Sequence, residues 1–137
     1  MTSSQRTFTL KEANRTLPLV HRIMQDLVDS YARVQELLSA LADAMDASRE
    51  EEAERLTESL REERTRLEEF ASELAPIGCE LKGLDPGLVD FRAIHEGRTI
   101  LLCWKLGEPN ISHWHEEADG FLGRQAITPE IAAALGS

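Results

Sequence analysis

The sequence predicts an α+β fold: a long, antiparallel, coiled-coil-like α-helical hairpin, a small three-stranded antiparallel sheet and a short C-terminal helix. Three observations carry this. Apolar residues recur at alternating spacings of three and four through residues 10–45 and again through 53–74. Two runs of β-type residues, 88–94 and 99–106, flank the tight-turn pair Glu96-Gly97. Thr128-Pro129-Glu130 has the form of a helix start, with proline at the first helical position.

The first helix opens at Thr9-Leu10-Lys11-Glu12, a capping box in which Thr9 accepts from the Glu12 N–H and Glu12 reaches back to the Thr9 N–H. Its seam reads Leu10, Ala13, Leu17, Val20, Met24, Leu27, Tyr31, Val34, Leu38, Leu41 and Met45. Pro18 interrupts it: proline has no N–H for the Asn14 carbonyl, so a kink or a restart is expected there. Asp46-Ala47-Ser48 suits a turn, with Ser48 as the expected cap of the second helix and Glu50, Glu51 and Glu52 favouring its dipole. The second seam keeps the period but is broken by Glu63, expected at the solvent edge near Tyr31 and Val34. Leu19, Ile23, Val28 and Leu37 widen the apolar stripe of the first helix beyond what one partner helix covers. Either the sheet or a second copy of the chain should cover it, and a homodimer is the expected state.

The strands follow a turn at Leu84-Asp85-Pro86-Gly87. A two-residue loop at Glu96-Gly97 places Phe91 opposite Leu102, Val89 opposite Trp104 and Asp90 opposite Cys103. Gly107-Glu108-Pro109-Asn110 turns into a third strand at Ile111 to His115. The chain of 137 residues reads as one domain, with the hairpin at about 9–75, the β unit at about 84–116 and a C-terminal loop and helix at 117–137.

Net charge is −10, divided as about −1, −5 and −4 over residues 1–47, 48–75 and 76–137. No segment is basic, which argues against nucleic acid and anionic membrane surfaces as partners. Two cysteines, Cys79 and Cys103, make no disulfide framework. The N-terminal residues are polar, and the longest apolar run, Ile100 to Trp104, is too short to span a bilayer. A cytoplasmic protein is expected.

Chemistry-bearing side chains crowd the β unit. His113-Trp114-His115 puts two imidazoles on one face of a strand, with Glu108 upstream and Asp90 and Cys103 on neighbouring strands. Imidazole and carboxylate together suit zinc, iron or manganese. The competing reading keeps His115 as a hydrogen-bonded core residue and His113 in solvent. Register decides between them: one pairing sets His115 beside Leu102 and Trp104, and a shift by one sets it with Cys103 and Asp90. Gly120-Phe121-Leu122-Gly123-Arg124 could hold an anion through backbone N–H groups and the Arg124 fork, or Arg124 could simply pair with an acid. Four of the seven aromatics lie at residue 91 or beyond, so Trp104 and Trp114 join Arg124 as candidate ligand contacts. No phosphate-binding loop, dinucleotide fingerprint, nucleophile elbow or His-Glu-x-x-His occurs, and no enzymatic activity is assigned.

Several segments together resemble the prokaryotic family called domain of unknown function 2203. They are Phe8 with Glu12-Ala13-Asn14 and Leu17-Pro18, Gly87-Leu88-Val89-Asp90-Phe91, Leu102-Cys103-Trp104 with Leu106-Gly107-Glu108, Trp114-His115-Glu116, and Gly120-Phe121 with Gly123-Arg124. The resemblance implies a fold and no activity. It does single out Glu12, Asn14, Asp90, Cys103, Glu108, His115 and Arg124 as polar positions of the family pattern. Glu12, Asn14 and Pro18 have a structural account in the cap and the kink. Asp90, Glu108 and His115, with Cys103 and His113 beside them, are the candidate ligands of a divalent metal. Two functions therefore compete: a small-ligand or metal site in the β unit, and a non-catalytic interaction module acting through the hairpin.

Overall fold

The computed structural model describes residues 6–136. Helix α1 (Leu10–Asp46) and helix α2 (Glu50–Ser72) form the hairpin. Strands β1 (Glu80–Leu84), β2 (Gly87–His95), β3 (Arg98–Lys105), β4 (His113–Glu116) and β5 (Gln125–Ala126) follow, then helix α3 (Pro129–Ala134). The strands form one antiparallel sheet in the order β1-β2-β3-β4-β5.

Helix α1 begins as its sequence requires. The Thr9 hydroxyl accepts from the Glu12 N–H at 3.0 Å, and the Glu12 carboxylate accepts from the Thr9 N–H at 2.8 Å. The helix does not restart at Pro18 but runs through it. Asn14 has a different task from the one expected: its side-chain oxygen accepts from the Ile111 N–H at 2.8 Å, tying the helix to the β3–β4 loop. Ser48 does not cap α2. It sits at φ 57° in the connecting turn, and Arg49 precedes the helix without a side-chain cap. Glu63 is likewise not at the solvent edge. It is buried, and its carboxylate accepts from the Ser30 hydroxyl at 2.6 Å and from Arg66 at 2.9 Å, with Arg33 at 3.2 Å. Tyr31 is not its partner: the Tyr31 hydroxyl instead accepts from Gln35. Burial alone would raise this carboxyl; Ser30 and the two arginines outweigh that and hold it below the usual carboxylate range.

The sheet has five strands rather than three. The strand β1 escapes a period-two pattern because its register slips between Leu81 and Gly83, and β5 is two residues long. The β2–β3 pairing is as expected, Asp90 opposite Cys103 and Phe91 opposite Leu102. Glu96 and Gly97 both have positive φ, the conformation that a two-residue hairpin loop needs.

One face of the sheet packs on the helices. Val89, Phe91, Ala93, Ile100, Leu102, Trp104 and Trp114 meet Val20, Ile23, Met24 and Leu27 of α1 in a continuous apolar core. Burying each large aliphatic or aromatic side chain here contributes about 1.5–3 kcal/mol. The sheet, rather than a second copy, thus covers Ile23. Close approach also needs Gly87: a Cβ there would lie 3.0 Å from Val28 and 3.2 Å from Met24. The short helix α3 closes the far end, where the Leu135 and Gly136 carbonyls accept from the Leu10 and Lys11 N–H groups. No described helix is long and apolar enough to cross a membrane.

Candidate metal centre on the outer face of the sheet

The opposite face of the sheet carries the polar residues. Strand alternation puts Asp90 on this face of β2, Leu101 and Cys103 on β3, and His113 and His115 on β4. His115 lies opposite Leu101 and His113 opposite Cys103, so His115 shares the face of Asp90 rather than that of Trp104. Although this face points away from the helices, Asp90, Cys103 and His115 are each no more than 2% exposed. Glu117, Gly120 and Phe121 border it.

Asp90, Cys103 and His115 each offer a ligand atom, and these atoms lie within 4.8 Å of one another. His115 Nδ1 is 2.7 Å from the Glu116 carbonyl, which can only accept, so Nδ1 carries a proton. That leaves Nε2 to face Asp90 Oδ2 at 3.0 Å. An unprotonated imidazole nitrogen and a carboxylate cannot hydrogen-bond, so one proton sits between them. Burial raises the Asp90 carboxyl, an effect opposed first by the charge of His115. Burial, followed by the Asp90 charge, pushes the Cys103 thiol up to about 11. It is a thiol, not a thiolate, at neutral pH.

Glu108 is not brought to this cluster. Its carboxylate pairs with the Arg124 guanidinium and accepts from the Lys105 N–H at 2.8 Å. Burial would raise this carboxyl, but Arg124 and then Lys105 outweigh it and hold it below the usual range. Arg124 also donates to His113 Nδ1 at 2.9 Å and approaches the Cys103 sulfur at 3.8 Å. The expected metal set therefore divides into two: Asp90 and His115 joined by Cys103, and Glu108 and His113 joined by Arg124. Trp104 and Trp114 lie on the core face. The Trp104 indole N–H donates to the Glu108 carbonyl at 3.0 Å, and that of Trp114 has no partner among the described residues. Cys79 is a separate buried thiol, also pushed up to about 11 by burial.

A cavity of about 240 Å³ opens over the cluster. Its floor is Asp90, Cys103 and His115, and its walls are Leu88, Leu101 and Phe121. Lys82 and Glu117 stand at its mouth. They are the two ends of a charge chain: Lys82 pairs with Glu80 at 3.0 Å, Glu80 with Arg92 at 2.8 Å, and Arg92 with Glu117 at 3.1 Å. Glu117 follows the His113-Trp114-His115 run in the acidic and imidazole-rich stretch of the sequence, whereas Lys82 carries no signal there.

Fold and site together define a small α+β protein whose sheet is packed on a helical hairpin on one face and buries an Asp–Cys–His cluster on the other. The chain matches, over residues 6–127, the family described as an uncharacterized conserved protein (DUF2203), and it belongs to that family. No curated protein and no solved structure matches it.

Proposed function

We propose that the chain binds one divalent transition-metal ion through Asp90, Cys103 and His115, with zinc the best fit. One observation carries this reading: three ligand atoms of the right kinds, all buried, lie within 4.8 Å of one another. The Nδ1–H contact with the Glu116 carbonyl supports it, because it orients the ring and leaves Nε2 free to ligate, as in established histidine metal sites. Proton accounting supports it as well. The cluster holds two removable protons, one on the thiol and one between Asp90 and His115. A divalent cation would replace both with no net change of charge, which suits a buried site. A thiolate in the set favours zinc or iron over manganese. Three protein ligands leave a fourth position toward the cavity, where a bound water would be acidified.

The test is the metal content, by mass spectrometry, of untagged protein purified without chelator, beside Cys103→Ala and His115→Ala. About one zinc or iron per chain, lost in both variants, is the expected result. Metal below a tenth of an equivalent in the parent protein, after incubation with zinc, would overturn the reading.

A second reading, homodimerisation through the hairpin, draws on Leu38 and Met45, which are 37% and 65% exposed near its turn. Sedimentation equilibrium of the protein and of Met45→Glu decides it.

A further inference from the structure

The cavity over the metal cluster has a composition of its own, and it specifies more than a water molecule. This inference rests on the metal reading above. With a divalent ion held by the Asp90 carboxylate and the Cys103 thiolate, the floor is electrically neutral and has one open coordination position. The walls are apolar: Leu88, Leu101 and Phe121. The mouth carries one positive and one negative side chain, Lys82 and Glu117, with side chains 44% and 56% exposed. The two charges are not paired with each other. Each terminates the chain Lys82–Glu80–Arg92–Glu117, so each has one ionic neighbour, and each lines the cavity.

A ligand complementary to all three zones needs an anionic group for the metal and Lys82, a cationic group for Glu117, and a short apolar body for the walls. A simple carboxylate leaves Glu117 unanswered, and an amine leaves the metal and Lys82 unanswered. A dianionic phosphate would face a neutral floor with Lys82 as its single lining cation, against the Glu117 charge. We infer that the site takes a small zwitterion, an α-amino acid with an aliphatic side chain, its carboxylate directed to the metal and Lys82 and its ammonium to Glu117. A volume of about 240 Å³ suits an aliphatic amino acid and excludes a long peptide from full burial.

Cobalt(II) provides the probe, since its absorption spectrum reports both the thiolate ligand and changes at the open position. The protein is loaded with cobalt and titrated with L-leucine, with 4-methylpentanoate, which lacks the ammonium, and with isoamylamine, which lacks the carboxylate. The expected result is a saturable change in the visible bands with leucine. Binding should be about tenfold weaker for 4-methylpentanoate, for Glu117→Gln and for Lys82→Gln, the loss of one charge-assisted contact each. Isoamylamine should give no change. Cobalt that binds with a thiolate band but shows no response to leucine overturns this inference and leaves the metal site standing. Equal binding of leucine and 4-methylpentanoate overturns the zwitterion and assigns the site to simple carboxylates. Cobalt that fails to bind with a thiolate band overturns the metal reading, and this inference with it.

Discussion

Val89, Phe91 and Ala93 alternate along β2 with Leu88, Asp90 and Arg92, and the two faces they make are buried by different means. The inner face is sealed by a helix and filled with aliphatic and aromatic groups. The outer face lies under a cavity bordered by Glu117, Gly120 and Phe121 and buries a carboxyl, a thiol and an imidazole as deeply. Depth of burial therefore does not separate core from site in this protein. Chemistry does, since apolar groups gain stability from burial and ionisable ones lose it unless something compensates. On the inner face compensation is unnecessary. On the outer face, in the absence of metal, it is limited to shared protons.

The comparison can be broken or sharpened by mutation in metal-free protein. The largest effect is expected on the inner face. Phe91→Ala removes a fully buried ring that meets Phe8 edge-on at 5.2 Å, and should cost about 4 kcal/mol in denaturant unfolding. A loss below about 1 kcal/mol would mean that this face is not the core. On the outer face, His115→Ala strands the buried Asp90 and should cost about 3 kcal/mol. Asp90→Ala with His115→Ala should cost less than the two single losses combined, by about 1–2 kcal/mol, because the double variant leaves no orphaned charge. Strict additivity in that cycle would show that the two groups do not share a proton.

A buried carboxylate with full partners provides the contrast, and the smallest effect. Glu63 in the hairpin is held below the usual carboxylate range, so its contribution is present above the unfolded value near about 4.3 and is lost as pH falls through the folded value. Acid unfolding of the parent protein should steepen below about pH 4, and Glu63→Gln should remove that part of the slope. Ser30→Ala takes away one hydrogen bond to the same carboxylate and should cost about 1–2 kcal/mol at neutral pH.

Much of the fold was legible because its signals are periodic or terminal. The Thr9–Glu12 capping box, the Glu96-Gly97 loop and the Thr128-Pro129 start each depend on neighbours in sequence, and each reappears in the structure, whereas the heptad seam of α1 is buried mainly between Leu10 and Val34 and leaves Leu38 and Met45 exposed. Strand β1 was not legible, because the irregularity at Gly83 destroys its alternation. Ser48 has the residue type of a cap, but a left-handed backbone turns it away from that role. The site was half legible. The pairing of Asp90 with Cys103 follows from the loop length alone. The choice of the third member does not: Arg124, sixteen residues beyond Glu108, claims that carboxylate and leaves the thiol to join His115. No local pattern records which acid a distant arginine will take.

The tie between the first turn of α1 and the Leu135 and Gly136 carbonyls has a consequence for how the chain is made. During synthesis the hairpin is made before every strand that will lie against it. Val20, Met24 and Leu27, each fully enclosed in the finished protein, then face the nascent-chain environment without a cover. The order of elements along the gene thus leaves the greasiest side of the longest helix waiting for its lid, and makes it the surface that a ribosome-associated chaperone would meet first.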